Sequence, residues 1–113
     1  MKVEIWHNPR CSKSRQTLAL LQDRGITPEV RLYLENPPTQ DELQTALQML
    51  GLTPSQVLRR GEPEFKSLNL KTADDATILA AMAEHPKLIE RPVVFVGAKA
   101  ALGRPPENVL ALL

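Results

Sequence analysis

The sequence predicts an α/β fold with the element order βαβ, then helices, then ββα, and three observations support this prediction. Near the start of the chain, apolar residues alternate with polar ones, which is the pattern of a half-buried strand. Leucines at helical spacing follow, and then a second alternating run. Beyond a long helical section, residues 92–96 form a continuous apolar run, which is typical of a strand buried on both faces.

The first βαβ unit occupies about the first third of the chain. We predict a strand over residues 2–6, a helix over residues 12–24 and a second strand over residues 30–34. Asn8-Pro9 turns the chain after the first strand, and Gly25 is suited to end the helix. Because a helix connects them, the two strands are expected to be parallel with a right-handed crossover.

The middle of the chain, about residues 39–86, is predicted to be an inserted series of helices. Thr39 and Glu42 have the spacing of a capping box, which marks the start of a helix. The leucine-lined face of that helix continues to Gly51, which is suited to end it. Further helical segments are predicted over residues 54–60, over residues 63–68, and from Asp74 or Asp75 to His85-Pro86.

The last third of the chain returns to strands. After the buried run, Gly97 provides a turn, and residues 98–102 are predicted to pair with that run as a hairpin. Pro105 is suited to the first position of a final helix over residues 106–112. The resulting order, βαβ and ββα with helices inserted between them, is the thioredoxin-like arrangement.

Length and composition limit the other possibilities. A chain of 113 residues is predicted to form a single thioredoxin-like domain, residues 1–113. The formal net charge of +1 does not indicate binding to nucleic acid. No apolar run has the length of a membrane span, and the start of the sequence does not have the pattern of a signal peptide. We therefore expect a cytoplasmic protein.

Cys11 is the only cysteine of the chain, and it lies between the predicted turn and the predicted helix. The first N–H groups of a helix and its dipole favour a negative charge at this position. Arg10, Lys13 and Arg15 add positive charge nearby. His7, across the turn, offers either an imidazolium or an N–H donor. The sequence therefore predicts that Cys11 is a nucleophilic thiolate.

The alternative is that Cys11 is a small buried apolar residue, as many free cysteines are. The surrounding segment, HNPRCSKSR, is polar and loop-like, which argues against a place in the core. Ser14 occupies the position of the second cysteine in a Cys-x-x-Cys motif, so another molecule must supply the second thiol in a redox reaction. A metal site is not predicted, because the chain has one cysteine and no paired His/Asp spacing.

Arginines at predicted loop junctions are candidates for binding an oxyanion. Arg presents a planar fork of donors that matches the oxygens of a tetrahedral anion. The candidates are Arg59 or Arg60, Arg91 and Arg104. The residues alone do not choose between Arg59 and Arg60. The competing interpretation is that all four are surface arginines bound to solvent or to carboxylates.

Five segments, taken in order, resemble the glutathione- and glutaredoxin-dependent arsenate reductase family, ArsC, and closely its YfgD-like branch. They are IWHNPRCSKSRQTL, YLENPPT, VLRR, HPKLIERPVV and GRPPENVL. The resemblance implies a thioredoxin-like fold with a helical insertion. It also implies a catalytic cysteine at Cys11, a histidine that helps to ionise it at His7, a cis proline at Pro92, and oxyanion-binding arginines at Arg59, Arg91 and Arg104.

The reaction implied by this resemblance is reduction of arsenate to arsenite by the Cys11 thiolate. Glutathione is then a co-substrate, glutaredoxin is a protein partner, and no cofactor is bound. Ser14 and Arg15 have supporting places near the thiolate. Two alternatives remain: a redox-sensing regulatory protein of the Spx type, and a monothiol exchange enzyme similar to glutaredoxin. The Spx type typically has Cys-x-x-Cys, whereas this chain has Cys-x-x-Ser.

Overall fold

A four-stranded mixed sheet is formed by the two ends of the chain in the computed structural model, which describes residues 2–113. These ends, up to Asn36 and from Arg91 onwards, constitute one of two compact units, here called the sheet unit. Its elements are β1 (Val3–His7), α1 (Ser12–Asp23), β2 (Glu29–Leu32), β3 (Val93–Val96), β4 (Lys99–Leu102) and a final 3₁₀ helix (Pro106–Leu112).

The strand order is β2-β1-β3-β4. β1 and β2 are parallel, with Ile5 opposite Val30, whereas β3 is antiparallel to both β1 and β4. Gly97 turns the β3–β4 hairpin with a φ of 59°, a left-handed conformation that glycine adopts without steric cost. The predicted α/β fold with a thioredoxin-like order of strands is confirmed.

The core of the sheet unit lies between one face of the sheet and the helices that cover it. Ile5, Leu21, Val94 and Val109 are fully buried there, and they come from β1, α1, β3 and the final 3₁₀ helix. Because side chains alternate along a strand, the apolar residues of β1 that face this core are separated by polar positions. This alternation is the pattern that predicted the strand.

Several predicted boundaries of the sheet unit were wrong by a few residues. β1 spans Val3–His7 rather than residues 2–6, and β2 ends at Leu32 rather than at residue 34. β2 ends early because the N–H groups of Glu35 and Asn36 both donate to the Leu32 carbonyl, which closes a turn. Pro105 precedes the final helix instead of opening it, and that helix is 3₁₀ rather than α.

The second compact unit, Pro37–Glu90, is here called the helical unit. Its α-helices are α2 (Gln40–Leu50), α3 (Pro63–Ser67) and α4 (Asp75–Glu84), and its 3₁₀ helices are Pro54–Val57, Leu70–Thr72 and Pro86–Leu88. Leu43, Leu47, Ile78 and Met82 are buried on α2 and α4. The helix predicted over residues 54–60 is a single 3₁₀ turn, and Asp74 rather than Asp75 caps α4.

The predicted capping box begins α2. The Glu42 N–H donates to Thr39 Oγ1 at 3.1 Å, and the Thr39 N–H donates to Glu42 Oε1 at 3.0 Å. We expect Thr39→Ala to lower the free energy of unfolding by about 1 kcal/mol, because one helical N–H loses its acceptor. Urea unfolding measures this change. Thr45→Ala, at an exposed position inside α2, is the control and should not destabilise; equal stability of Thr39→Ala and wild type would contradict the expectation.

Across residues 2–113, no helix has both the length and the apolar character needed to cross a bilayer.

Candidate active site

Cys11 is the N-cap of α1, with an extended backbone conformation at φ −97° and ψ 123°. Its N–H donates to the Asn8 carbonyl at 3.0 Å, and its own carbonyl accepts the Arg15 N–H at 3.0 Å. Cys11 is only 8% exposed, but it is not part of the apolar core cluster of the sheet unit. The local sequence, a turn followed at once by a helix, therefore holds the thiol at the first turn of α1.

The surroundings of Cys11 favour its thiolate form. Burial raises the pKa of the Cys11 thiol, but hydrogen bonds from the Ser14 N–H and the Arg91 side chain lower it. The charge of Arg91 and the Lys13 N–H act in the same direction, and the net pKa lies below its ordinary value. A cationic donor and two N–H groups of a helix N-terminus are the environment in which reactive cysteines are found.

Ser14 is fully buried and joins the cysteine loop to β1. Its Oγ lies 2.6 Å from His7 Nδ1, with which it shares a hydrogen bond, and it accepts the Asn8 N–H at 3.0 Å. Through its backbone N–H, the same residue stabilises the Cys11 sulfur. Ser14 therefore fixes the loop and contributes a donor to the nucleophile.

His7 is buried, and its contacts favour the neutral ring. Burial lowers the pKa of His7, and the nearby positive charge of Arg15 lowers it further. Arg15 is itself held in place, because its Nη1 donates to the Pro9 carbonyl at 2.8 Å. Of the two forms considered for His7, the imidazolium is therefore disfavoured, and the ring binds Ser14. A role for His7 in ionising Cys11 stays a prediction.

Two of the candidate arginines, Arg91 and Arg104, lie on adjoining segments of the sheet unit. Arg91 precedes β3, and the Arg91-Pro92 peptide bond is cis, as the family resemblance implies. Arg104 follows β4, and its Nη1 donates to the Arg91 carbonyl at 3.2 Å. Arg91 reaches the Cys11 sulfur, so this end of the sheet brings the nucleophile and two guanidinium groups into one neighbourhood.

The third candidate belongs to the helical unit. Leu58 and Ile89 form an antiparallel bridge, and the Arg59 N–H donates to the Leu88 carbonyl at 2.8 Å. Arg59 lies 3.9 Å from Glu62 and 3.7 Å from Glu90, measured between the charged nitrogen and oxygen atoms. Its side chain is half-buried, so Arg59 is held by its unit rather than free in solvent.

Arg60 has different surroundings from its neighbour. It is exposed, its Nη2 donates to the Ser55 carbonyl at 3.4 Å, and its guanidinium lies 5.4 Å from the centre of the Phe65 ring. Both arginines thus have contacts of the competing interpretation, Arg59 with two carboxylates and Arg60 at the exposed surface. An oxyanion-binding role for either of them stays a prediction.

Asn8 and Thr17 support the site, but the sequence did not single them out. Asn8 accepts the Arg10 N–H on its side chain at 3.0 Å, which shapes the turn before Cys11. Thr17 is fully buried on α1, where its hydroxyl donates to the Lys13 carbonyl at 2.8 Å. The only signals were an asparagine before proline, typical of turns, and a polar residue on the leucine-lined face of α1.

Gly103 lies so close to α1 that there is no room for a Cβ atom at this position. A Cβ at this position would overlap Thr17 Oγ1 and lie 2.7 Å from Pro92 Cγ. The Gly103 N–H also donates to the Pro92 carbonyl at 2.9 Å. Thr17, Pro92 and Gly103 thus form a tight contact, here called the glycine contact, that sets the distance between α1 and the segment that holds Arg91.

Within the part of the chain that the structure describes, no three His, Cys, Asp or Glu side chains lie together as a group able to hold a metal ion.

Comparison with known proteins identifies the family of this chain. The model of the ArsC family matches residues 6–112. The chain is 48% identical over 116 residues to the arsenate reductase of Haemophilus influenzae, covering 100% of both chains. It is 45% identical over 115 residues to the Escherichia coli protein named uncharacterized protein YfgD, covering 99% of this chain and 97% of that one.

A solved structure gives the same result for the fold. The arsenate reductase from Vibrio cholerae superimposes with a TM-score of 0.96 and 52% identity, covering 100% of this chain and 98% of that chain. The resemblance found in the sequence, which included the YfgD-like branch, is confirmed. This protein, in which Cys11 lies at the start of α1 close to Arg91, is a member of the ArsC family.

Proposed function

We propose that this protein reduces arsenate to arsenite, with the Cys11 thiolate as nucleophile and external thiols as reductant. The observation on which the proposal rests is the hydrogen bond from the Arg91 side chain to the Cys11 sulfur. A cationic donor beside the nucleophile stabilises the thiolate and attracts an anionic substrate to it. The choice of arsenate is supported by the name of the Haemophilus influenzae relative.

The reaction begins when the Cys11 thiolate attacks arsenic. One arsenate hydroxyl takes a proton from solvent and leaves as water, and a sulfur–arsenic(V) bond forms. Arg91 and Arg104, both in the sheet unit, bind the arsenate oxygens in this proposal. A role for Arg59 stays a prediction of the family resemblance. Guanidinium groups stabilise the negative charge that these oxygens hold during the displacement.

Reduction of arsenic(V) to arsenic(III) needs two electrons, and two external thiols supply them. The glutathione thiol bonds to arsenic through its sulfur and displaces a second water. A glutaredoxin thiolate then attacks that sulfur. A disulfide forms between glutathione and glutaredoxin, the electron pair passes to arsenic, and hydrolysis releases arsenite and the Cys11 thiolate. The balance is one arsenate and two thiols giving one arsenite, one disulfide and one water.

The single cysteine of the chain is consistent with this division of roles. Cys11 has no second thiol in the chain with which to form a disulfide. External thiols are available in the reducing cytoplasm, which is where we propose that the reaction takes place. Ser14, at the position of a resolving cysteine, is engaged with His7 instead.

The test is arsenite formation by purified protein supplied with arsenate, glutathione and glutaredoxin. We expect turnover that needs all three components and disappears when Cys11→Ser replaces the wild type. Arsenite at the level of the Cys11→Ser control in the complete mixture would contradict the proposal.

Arsenate protection separates this function from monothiol exchange. The rate of Cys11 alkylation is measured with and without arsenate, and with and without glutathione disulfide. An oxyanion site predicts that arsenate slows alkylation, while glutathione disulfide has little effect on the initial rate. The reverse pattern would favour the exchange enzyme. Retention of RNA polymerase on the immobilised protein would instead favour a regulatory protein of the Spx type.

A further inference from the structure

A cavity of about 290 Å³ lies beside the loop that leads into Cys11. One wall is formed by residues 7–10, and the other by Leu32, Leu34 and Glu35. All of these residues belong to the sheet unit. The residue at one end of the first wall, Arg10, is the neighbour of Cys11 in the chain. The cavity is therefore close to the nucleophile but is not part of the arginine-lined site described above.

The cavity lies at the carboxyl ends of the two parallel strands of the sheet. β1 and β2 are parallel, and the register pairs His7 with Leu32, the last residue of each strand. Both carboxyl ends thus reach the same edge of the sheet. Loops at the ends of strands frequently hold binding residues, because the sheet positions them rigidly.

The two walls of the cavity have opposite charges. Arg10 and Glu35 are both exposed, and neither side chain has a hydrogen bond or ion pair with another residue in the described range 2–113. Their backbones are fixed, since the Arg10 N–H donates to Asn8 Oδ1 and the Glu35 N–H donates to the Leu32 carbonyl, each at 3.0 Å. An unpaired cation and an unpaired anion therefore flank one small cavity.

These features match an α-amino-acid group. The guanidinium of Arg10 suits its carboxylate, and the carboxylate of Glu35 suits its ammonium. Leu32 and Leu34 are half-buried, so they offer apolar surface for a short carbon chain. A simple oxyanion would leave Glu35 unmatched, and a simple cation would leave Arg10 unmatched.

We propose that this cavity binds the α-amino-acid group of the low-molecular-weight thiol that reacts at Cys11. The inference rests on the proposed function only in requiring that an external thiol comes to Cys11. It adds a binding site for that co-substrate, outside the site for the oxyanion. Thiols such as cysteine and glutathione have the required group, whereas neutral thiols such as 2-mercaptoethanol do not.

The test is an NMR titration of the whole ¹⁵N-labelled protein with S-methylglutathione, whose sulfur cannot react. We expect saturable shifts at the amides of Arg10, Leu34 and Glu35. Arg10→Met and Glu35→Gln should each weaken binding by about fivefold to tenfold, because each removes one charged partner. Arg24→Met and Glu107→Gln, which neutralise exposed charges elsewhere in the sheet unit, are the matched controls and should bind as the wild type does.

Ligands that have only the carboxylate or only the ammonium of the α-amino-acid group show whether both charges are needed for binding. S-methylcysteine has both charges, 3-(methylthio)propionate has only the carboxylate, and 2-(methylthio)ethylamine has only the ammonium. The first should bind at least about fivefold more tightly than either of the others. Absence of saturable shifts at the cavity, or equal binding by Arg10→Met, Glu35→Gln and the wild type, would overturn the inference. Glycine binding as tightly as S-methylglutathione would overturn the assignment to the thiol.

Failure of this inference is distinguishable from failure of the proposed function, because binding is measured without turnover. Arsenite formation without binding at the cavity would overturn the thiol site and leave arsenate reduction in place. Binding at the cavity without arsenite formation would support the thiol site and contradict the reductase.

Discussion

Arg91→Met is expected to slow the alkylation of Cys11 by iodoacetamide by about tenfold to a hundredfold at pH values below the pKa of Cys11. Hydrogen bonds to charged groups contribute about 1.5–3 kcal/mol, and 1.4 kcal/mol is a factor of ten in an equilibrium constant. In the wild type, the Arg91 side chain donates to the Cys11 sulfur and its charge favours the thiolate. Methionine keeps the apolar bulk of the side chain but removes the donor and the charge, so the thiolate fraction falls.

The measurement is the alkylation rate of Cys11 as a function of pH. The wild-type profile is expected to have its midpoint below that of a free cysteine, and the Arg91→Met profile should move to higher pH. The plateau rates at high pH, where both proteins are thiolates, should be similar. Arg24→Met, in which an exposed arginine next to the end of α1 is replaced, is the control. Coincident profiles for Arg91→Met and the wild type would show that Arg91 does not stabilise the thiolate.

Gly103→Ala is expected to destabilise the protein by about 1–3 kcal/mol, the usual cost of overpacking a filled interior. The new methyl group would overlap Thr17 Oγ1 and lie 2.7 Å from Pro92 Cγ, and both neighbours are buried. For a chain of this size, the loss corresponds to a fall in Tm of about 4–8 °C per kcal/mol. Because Pro92 follows Arg91, a shift of its ring also displaces the donor to Cys11.

Thermal unfolding and the alkylation profile together test this expectation. Gly61→Ala is the matched control, since a Cβ at Gly61 meets no atom within 4 Å and its φ is not in the left-handed region. That variant should unfold close to the wild-type Tm and keep the wild-type alkylation profile. Adding Thr17→Ala to Gly103→Ala removes one of the two clashes and should recover part of the lost stability. An unchanged Tm in Gly103→Ala would show that the glycine contact is not tight in solution.

The parts of the fold that depend on neighbouring residues could be predicted from the sequence. The capping box of Thr39 and Glu42 lies within four consecutive residues, and its pattern is specific. The place of Cys11 at the start of α1 is also local, because a strand, a turn and a helix follow one another within about ten residues. The spacing of apolar residues predicted the strands and the order of the secondary-structure elements.

The remaining features depend on contacts between distant parts of the chain. Nothing near Thr17 in the sequence indicates that Gly103 lies against it, since the contact forms only when α1 packs on the sheet unit. The distinction between Arg59 and Arg60 likewise depends on the bridge between Leu58 and Ile89, which fixes the direction of that segment. The cis Arg104-Pro105 bond was not predicted, because about 5–6% of bonds before proline are cis and no local pattern marked this one.

The environment of the thiol also links the folding equilibrium to pH. Cys11 has a lower pKa in the folded chain than in an ordinary setting, so ionisation stabilises the folded state relative to the unfolded one. This contribution is fully present above the unfolded pKa of cysteine and is lost as the pH falls through the folded pKa. Burial lowers the pKa of His7 in the folded chain, so in acid the unfolded chain binds more protons at this residue than the folded chain does. The free energy of unfolding therefore also falls at His7 as the pH decreases. The same loop that prepares the nucleophile therefore makes the native state more resistant to unfolding in neutral and mildly alkaline solution than in acid.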